Sequence, residues 1–253
     1  CVMEYEKATG WLIGEANKGL AAMFTMMNSA RLNVGLQGVA VGDAATQAAF
    51  DYAQARKQGK AAGVAGAAPI LHHADIRRTL TIMKARVAAA RAICQACAVA
   101  ADIAQHADDA GKREAARARE DLLTPIAKAW STDMGVDVAS LAVQVHGGMG
   151  FMDGTLAAQL YRDARIAPIY EGTNGIQAID LIGRKLAGTH GASMRALLDD
   201  MRATAAEARA SNDPQLVQIA DRLVEACLAL ETASGWMLET YAREPEVALA
   251  GAT

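Results

Sequence analysis

Ile76, Leu80, Met83, Val87, Ala90, Cys94, Cys97 and Ala101 recur at steps of three and four residues, the spacing that lines side chains up on one face of an α-helix. A helix this long with one apolar stripe needs other long helices to cover it. The chain offers them. A helical pattern runs over about residues 20–62 through Met23, Met27, Leu32, Leu36, Val39 and Phe50, ending in the breaker-rich GVAGAAP of residues 63–69. The striped helix is expected over about 75–107. After the polar turn DDAGKRE a third is expected over about 115–145, with Leu122, Ile126, Ala129 and Leu141 inward and Pro125 a candidate kink, stopping at HGGMG. Shorter helices are expected over about 155–164 and 174–186, and two more over 191–210 and 214–243. No run of alternating residues competes. The expected fold class is all-α, an antiparallel helical bundle with a helical hairpin appended after about residue 187. The expected divisions are 1–19, 20–187 and 188–253.

A chain of 253 residues that is 52% hydrophobic can fill such a core, and an aromatic content of 4% suits tight Ala, Leu and Met packing. The net charge of -3 excludes a broad basic surface, so nucleic acid is not an expected partner. There is no run of about 18 uninterrupted apolar residues, and CVMEYEKATG has neither the basic nor the apolar region of a signal peptide. The expectation is a cytoplasmic protein without a membrane span. Cys1, Cys94, Cys97 and Cys227 are too few and too irregular for a disulfide framework, and reduced thiols are expected. Cys94-x-x-Cys97 invites a redox or metal reading, but both cysteines fall on the apolar stripe. Cβ atoms three residues apart on a helix are also about 5–6 Å apart, too far for an unstrained disulfide.

Three places break the helical rules, and such breaks are where function is expected. Arg56-Lys-Gln-Gly59 carries a cation and an amide into a glycine-rich break; a basic last turn favouring the helix dipole is the plainer alternative. Gln144-Val-His-Gly-Gly-Met-Gly150 ends a helix with more glycine than one C-cap needs, and adjacent glycines let a flat or anionic group approach the backbone. A simple turn, with His146 packed or capping, is the alternative there. In YEGTNGIQ, Thr173 or Asn174 can cap the helix carrying Ile176, Ile179, Leu181 and Ile182, leaving Glu171 just outside its N-terminus. That carboxylate could serve only the helix dipole. Yet it follows Ile166-Ala-Pro-Ile-Tyr170, and desolvation by an apolar segment is what tunes a carboxylate to act as a general base.

Taken together, GWLIGEANKGL, MFTMMNSARLNVG, YAQARKQG, HHADIRR, QVHGGMGF and YRDARIAPIYEGTNGIQAIDLIGRK resemble, in order and spacing, the C-terminal half of the acyl-CoA dehydrogenase family over residues 10 to about 187. The remainder resembles a helical module of a subgroup of larger bacterial members that includes long-chain and methylmercaptopropionyl-CoA dehydrogenases. The resemblance implies FAD as cofactor, an acyl-CoA substrate, electron-transfer flavoprotein as acceptor and a homodimer or tetramer as the working unit. It makes Glu171 the base that removes the α-proton while the β-hydride passes to the flavin, giving a trans-2-enoyl-CoA. Arg56 and Gln58 match the pair holding the diphosphate and adenine part of an FAD bound in a neighbouring subunit, and Gln144, Gly147 and Gly148 match the segment closing over its adenosine. Thr173 and Gly175 match FAD contacts after the base. Asn28 and Arg31 match the helix lining the acyl-CoA channel, with Tyr170 and Gly172 beside the substrate.

Some relatives carry the base just before the position of Arg31; here that residue is Ala30, which leaves Glu171. The chain departs from the family in reading Arg56-Lys-Gln-Gly59 where many members have an aromatic before the glycine, and in placing Gly175 where glutamine is frequent. The resemblance further implies that residues 1–14 are the last strand of a preceding β-barrel domain, that most of that domain and an N-terminal helical domain lie outside this chain, and that the chain by itself is inactive. A helical interaction module without flavin, and an acyl-CoA oxidase or flavin monooxygenase on the same fold, remain as other readings.

Overall fold

A computed structural model describes residues 2–252, apart from the side chains of Ala21, Phe24 and Thr25. Cys1 lies outside the described residues. Three long helices form the body: α1 (Gly19–Ala55), α2 (Ala74–His106) and α3 (Ala110–His146). The stripe on α2 faces inward, with Leu80, Met83, Val87, Ala90, Cys94 and Cys97 all buried. A window of α2 has a mean hydropathy of 1.5 and would be long and apolar enough to cross a membrane, but here its apolar face packs into the bundle.

α1 and α3 meet through small residues. A Cβ added at Gly35 would lie 2.7 Å from the carbonyl oxygen of Ala127, one at Gly38 would lie 2.3 Å from that of Ser131, and one at Gly135 would lie 2.7 Å from that of Gly38. The two backbones therefore touch, and only glycine allows it. The same contacts fix direction. Gly35 sits against Ala127 and Cys94, and Gly42 against Met134 and Val87, so α3 runs parallel to α1 and α2 runs antiparallel to both. Carrying this register forward sets Arg56, just past the end of α1, beside Gly148, just past the end of α3.

The inward faces differ from the expected ones. Met23, Leu36 and Phe50 on α1 are 42%, 40% and 42% exposed, while Val34, Val39, Ala45, Ala49 and Ala53 are buried. α3 is enclosed on several sides and buries Thr124, Pro125, Ala127, Lys128, Ser131 and Thr132 as well as Leu122. A central helix buries polar residues only when their hydrogen bonds are met, and Thr124 Oγ1 donates to the Glu120 carbonyl at 2.8 Å and Thr132 Oγ1 to that of Lys128 at 2.9 Å. α3 continues through Pro125.

α1 ends at Ala55, earlier than its pattern indicates. Arg56 turns to extended geometry (φ -73°, ψ 118°), and Lys57 bridges Pro69, with Ile70 N donating to the Arg56 carbonyl at 2.8 Å and Gln58 N to that of Ala68 at 2.9 Å. This cross-chain pairing replaces the helical bonds that residues 56–62 would have made. Residues 2–14 form neither helix nor strand and are exposed; a barrel strand there would need sheet neighbours, and among the described residues there are none.

Short helices α4 (Gly148–Phe151), α5 (Leu156–Ala164) and α6 (Asn174–Asp180) follow, and α6 widens into a π-turn over Leu181–Leu186 rather than remaining a regular helix. The hairpin of α7 (Ala192–Arg209) and α8 (Pro214–Arg243), with a short α9 (Pro245–Ala250), docks on the bundle through a second core of Leu122, Ile182, Leu186, Met194, Leu198 and Cys227. Beside that junction Lys185 on the π-turn pairs with Asp121 on α3 at 2.8 Å.

Candidate functional site

Between α5 and α6 the chain makes the turn that carries Glu171. Ala167 and Pro168 anchor it in the core, while Ile166 and Ile169 are 53% and 51% exposed. Asn174 N donates to the Pro168 carbonyl at 3.0 Å and closes the turn. Within it Glu171 has φ 55° and Gly172 φ 84°. The left-handed region is natural for glycine but costs a glutamate roughly 1–2 kcal/mol, and such strain persists where neighbours enforce it. The enforcer is Gln177, fully buried on α6, whose Nε2 donates to the carbonyls of Glu171 and Gly172 at 3.4 and 3.3 Å. A side chain at Gly172 would collide with it, because an added Cβ lies 2.9 Å from that Nε2.

Thr173 caps α6, its Oγ1 accepting from Ile176 N at 3.3 Å. Asn174 has a different task. Its Nδ2 donates to the Ala129 carbonyl at 3.1 Å and to Thr132 Oγ1 at 3.0 Å, and its Oδ1 accepts from Lys128 Nζ at 2.8 Å. Tyr170 donates its hydroxyl to Gln37 on α1. The turn is thus fastened to α1, α3 and α6 while the half-buried Glu171 carboxylate makes no hydrogen bond or ion pair among the described residues. Gly175 follows on the first turn of α6, where an added Cβ would meet only Thr173 Oγ1 at 3.8 Å.

Arg31 approaches the same region from α1. It is buried, and its Nη1 donates to Asp180 Oδ2 at 3.0 Å, which joins α1 to the end of α6. Its Nε is buried without a partner among the described residues. Asn28 goes elsewhere: it lines a cavity of about 520 Å³ with Cys97, Asp102, Glu120 and Thr124, between α1, α2 and α3. Burial raises the Glu120 carboxyl there above its ordinary value, with the neighbouring Asp121 adding to the effect. The sequence reading missed Gln37, Lys128, Gln177 and Asp180; the last three are buried polar residues in helices, for which helical spacing gives no signal.

The other two breaks come together at the far end of α1 and α3. Arg56, Gln58, His146, Gly147 and Gly148 line one cavity of about 490 Å³ with Tyr52. Gly147 has φ 60° and ends α3; an added Cβ at Gly147 or Gly148 would meet nothing within 4 Å, so the backbone faces open space. His146 stacks on Tyr52 with ring centroids 4.3 Å apart and its Nδ1 bonds the Ala142 carbonyl at 2.7 Å. His73 Nε2 holds the Gln58 carbonyl at 2.8 Å. Arg56 is the C-cap of α1, its N–H donating to the Tyr52 carbonyl, and its exposed guanidinium has no ion pair among the described residues. Gln144 is exposed on the last turn of α3 and does not line this cavity.

Cys94 and Cys97 are core residues. Cys94 Sγ contacts Ser131 Oγ at 3.4 Å and Cys97 Sγ contacts Thr124 Oγ1 at 3.5 Å; burial pushes the Cys97 thiol up to about 11.

The sequence profile of the acyl-CoA dehydrogenase C-terminal domain matches residues 17–187. A 3-methylmercaptopropionyl-CoA dehydrogenase of Ruegeria pomeroyi is 43% identical over 99% of this chain and 42% of its own length. A butyryl-CoA dehydrogenase of Syntrophomonas wolfei is 36% identical over 72% of the chain and 31% of its own length. The chain spans less than half the length of these relatives. Among solved structures, the butyryl-CoA dehydrogenase of Megasphaera elsdenii aligns with a TM-score of 0.53 at 27% identity over 67% of this chain and 39% of that one. The Caenorhabditis elegans ACDH-11 complex with C11-CoA shares the fold over 94% of this chain and 37% of that one, with a TM-score of 0.72 at 20% identity.

Proposed function

We propose that this chain, which belongs to the acyl-CoA dehydrogenase family, supplies the base and part of the cofactor site of an FAD-dependent acyl-CoA dehydrogenase. The observation that carries the reading is the Glu171 turn: a strained, triply fastened loop whose carboxylate makes no hydrogen bond or ion pair among the described residues. Strain and fastening of this kind serve a group that must be held in place for a reaction.

In this reading the Glu171 carboxylate removes a proton from the α-carbon of an acyl-CoA thioester, and the electron pair of that C–H bond becomes the α,β double bond of a trans-2-enoyl-CoA as the β-hydrogen leaves as hydride. Bound FAD would supply the hydride acceptor. Ile169 and Ile176, both about half exposed beside Glu171, offer apolar surface to an acyl chain and exclude water from the carboxylate when it is covered. Tyr170 and Gly172 set the direction of the carboxylate from either side. Arg31, paired with Asp180, holds α1 against α6 and keeps the channel wall in register with the base.

The cavity at the other end of the bundle suits the anionic part of FAD: Arg56 offers a cation without an ion pair among the described residues, Gln58 an amide, and Gly147 and Gly148 unobstructed backbone. Gln144 flanks it, and Thr173 and Gly175 would face FAD at the base end. One FAD does not span both places in one chain, because the part of α1 between Arg31 and Arg56 alone rises about 37 Å. A second copy supplying Arg56 and Gly147 to the FAD beside Glu171 resolves this, which makes a homodimer or tetramer the working unit. Electron-transfer flavoprotein is the proposed acceptor, and the cytoplasm the proposed compartment.

The experiment is a visible spectrum of the chain joined to the family's N-terminal and β-barrel domains, with acyl-CoA thioesters then added anaerobically. A yellow protein that bleaches with a thioester is expected. A protein that takes up no FAD overturns the reading and favours a helical interaction module.

A further inference from the structure

Lys128 is the largest fully buried side chain among the described residues, and the proposed reaction does not use it. It lies mid-way along α3, against the Glu171 turn. Burying an ammonium is costly unless it is hydrogen-bonded and its charge is opposed, and one described hydrogen bond, to Asn174 Oδ1 at 2.8 Å, meets part of that need. Three other charged groups act on it: Asp133, Arg31 and Glu171. Arg31 and Asp180 neutralise each other at 3.0 Å, with Asp180 also reached by Arg184 at 3.4 Å, and Asp133 points from α3 into solvent. Of the two anions that act on it, Glu171 is the half-buried one, its carboxylate without a hydrogen bond or ion pair among the described residues.

We propose that Lys128 is a positioning residue for the base: its ammonium fixes the Glu171 turn through Asn174 and is the buried counter-charge of the Glu171 carboxylate. The closure of the turn and the Lys128 contact share one residue, because Asn174 donates its backbone N–H to the Pro168 carbonyl and accepts from Lys128 Nζ at its side-chain Oδ1. A substrate covering the turn would strip water from the carboxylate, and a charge fixed beneath it is then its remaining compensation. Burial pulls the Lys128 ammonium down to about 8, with Asp133 and Glu171 acting in the opposite direction and Arg31 adding to the burial effect. Lys128 therefore titrates in an accessible range, and linkage makes its titration a reporter of Glu171.

The inference rests on Glu171 being the base, yet its test needs neither flavin nor turnover. Lysine side-chain signals of the 253-residue chain are followed by NMR across pH 6–11, in the parent and in Glu171→Gln. One lysine titrating well below the rest is assigned to Lys128 by its contact with Asn174, and by its loss in Lys128→Met if that variant folds. Glu171→Gln changes a carboxylate with no partners and leaves the core intact. The expected result is that Glu171→Gln moves the Lys128 curve to lower pH, and that the amides of residues 170–175 follow the same curve in the parent. A Lys128 curve that is the same in both proteins, or turn amides indifferent to it, overturns the inference. Retained turnover in Glu171→Gln would instead remove the base assignment and leave the coupling standing.

Discussion

Arg31 on α1 and Asp180 at the end of α6 form a buried ion pair at 3.0 Å, the two side chains 7% and 5% exposed. This pair ties α1 to the end of the helix that follows the Glu171 turn. Removing one member strands the other in the core, and broken buried pairs cost about 3–5 kcal/mol. Arg31→Met and Asp180→Leu should each destabilise the chain to urea by that amount, while the double variant recovers much of the loss. Equal costs in single and double variants would show that the pair is not coupled.

Gly38→Ala drives a methyl group to 2.3 Å from the Ser131 carbonyl, where only backbone can give way. Overpacking of this kind costs typically about 1–3 kcal/mol, and here it also separates α1 from α3. Gly148→Ala, facing open space, should leave the thermal midpoint unchanged. Comparable melting of the two variants would contradict the close packing of α1 on α3.

Stability should depend on pH through Lys128. Its folded value, about 8, lies below the usual lysine range, so between about pH 8 and 10.5 the unfolded chain binds the additional proton. Stability rises with pH wherever the unfolded state holds more protons. The parent should therefore gain stability relative to Lys128→Met from pH 8 to 10.5, by at most roughly 3 kcal/mol, with no difference in slope below pH 7. Urea midpoints across that range check the sign.

How much of this could be read in the sequence varies with how each helix is buried. α2 covers one face and its apolar spacing locates it to within a residue, while the breaks at Gly191 and Asn212-Asp-Pro214 locate α7 and α8 as closely. α1 and α3 hide their true contact faces, because Gly35, Gly38, Gly42 and Gly135 carry no apolar signal. Lys128, Gln177 and Asp180 sit on helices where a polar residue normally marks the solvent side, and only the tertiary partners reveal their task. Arg56 was legible as a break but not as an extended segment, since the bond from Ile70 N to its carbonyl joins residues far apart along the chain. Glu171 stood out because a carboxylate before glycine, after an apolar run and outside a helix cap, has no simple packing explanation.

Cys94 and Cys97 should resist alkylation in the folded chain. Both are fully buried, and burial raises both thiols; the thiolate is the reactive form. Labelling with iodoacetamide at pH 7.5 should modify neither until denaturant is added. Rapid modification under native conditions would place the pair outside the core.

The most direct test of the central claim is Glu171→Gln in the protein in which this chain follows the family's N-terminal and β-barrel domains. The amide keeps the shape of the turn and cannot take the α-proton. FAD content should match the parent, and anaerobic flavin bleaching by acyl-CoA should slow by about 10²–10⁴-fold, the contribution of a positioned proton transfer. Bleaching within a few-fold of the parent would mean that another group removes the proton and that the Glu171 turn serves some other end.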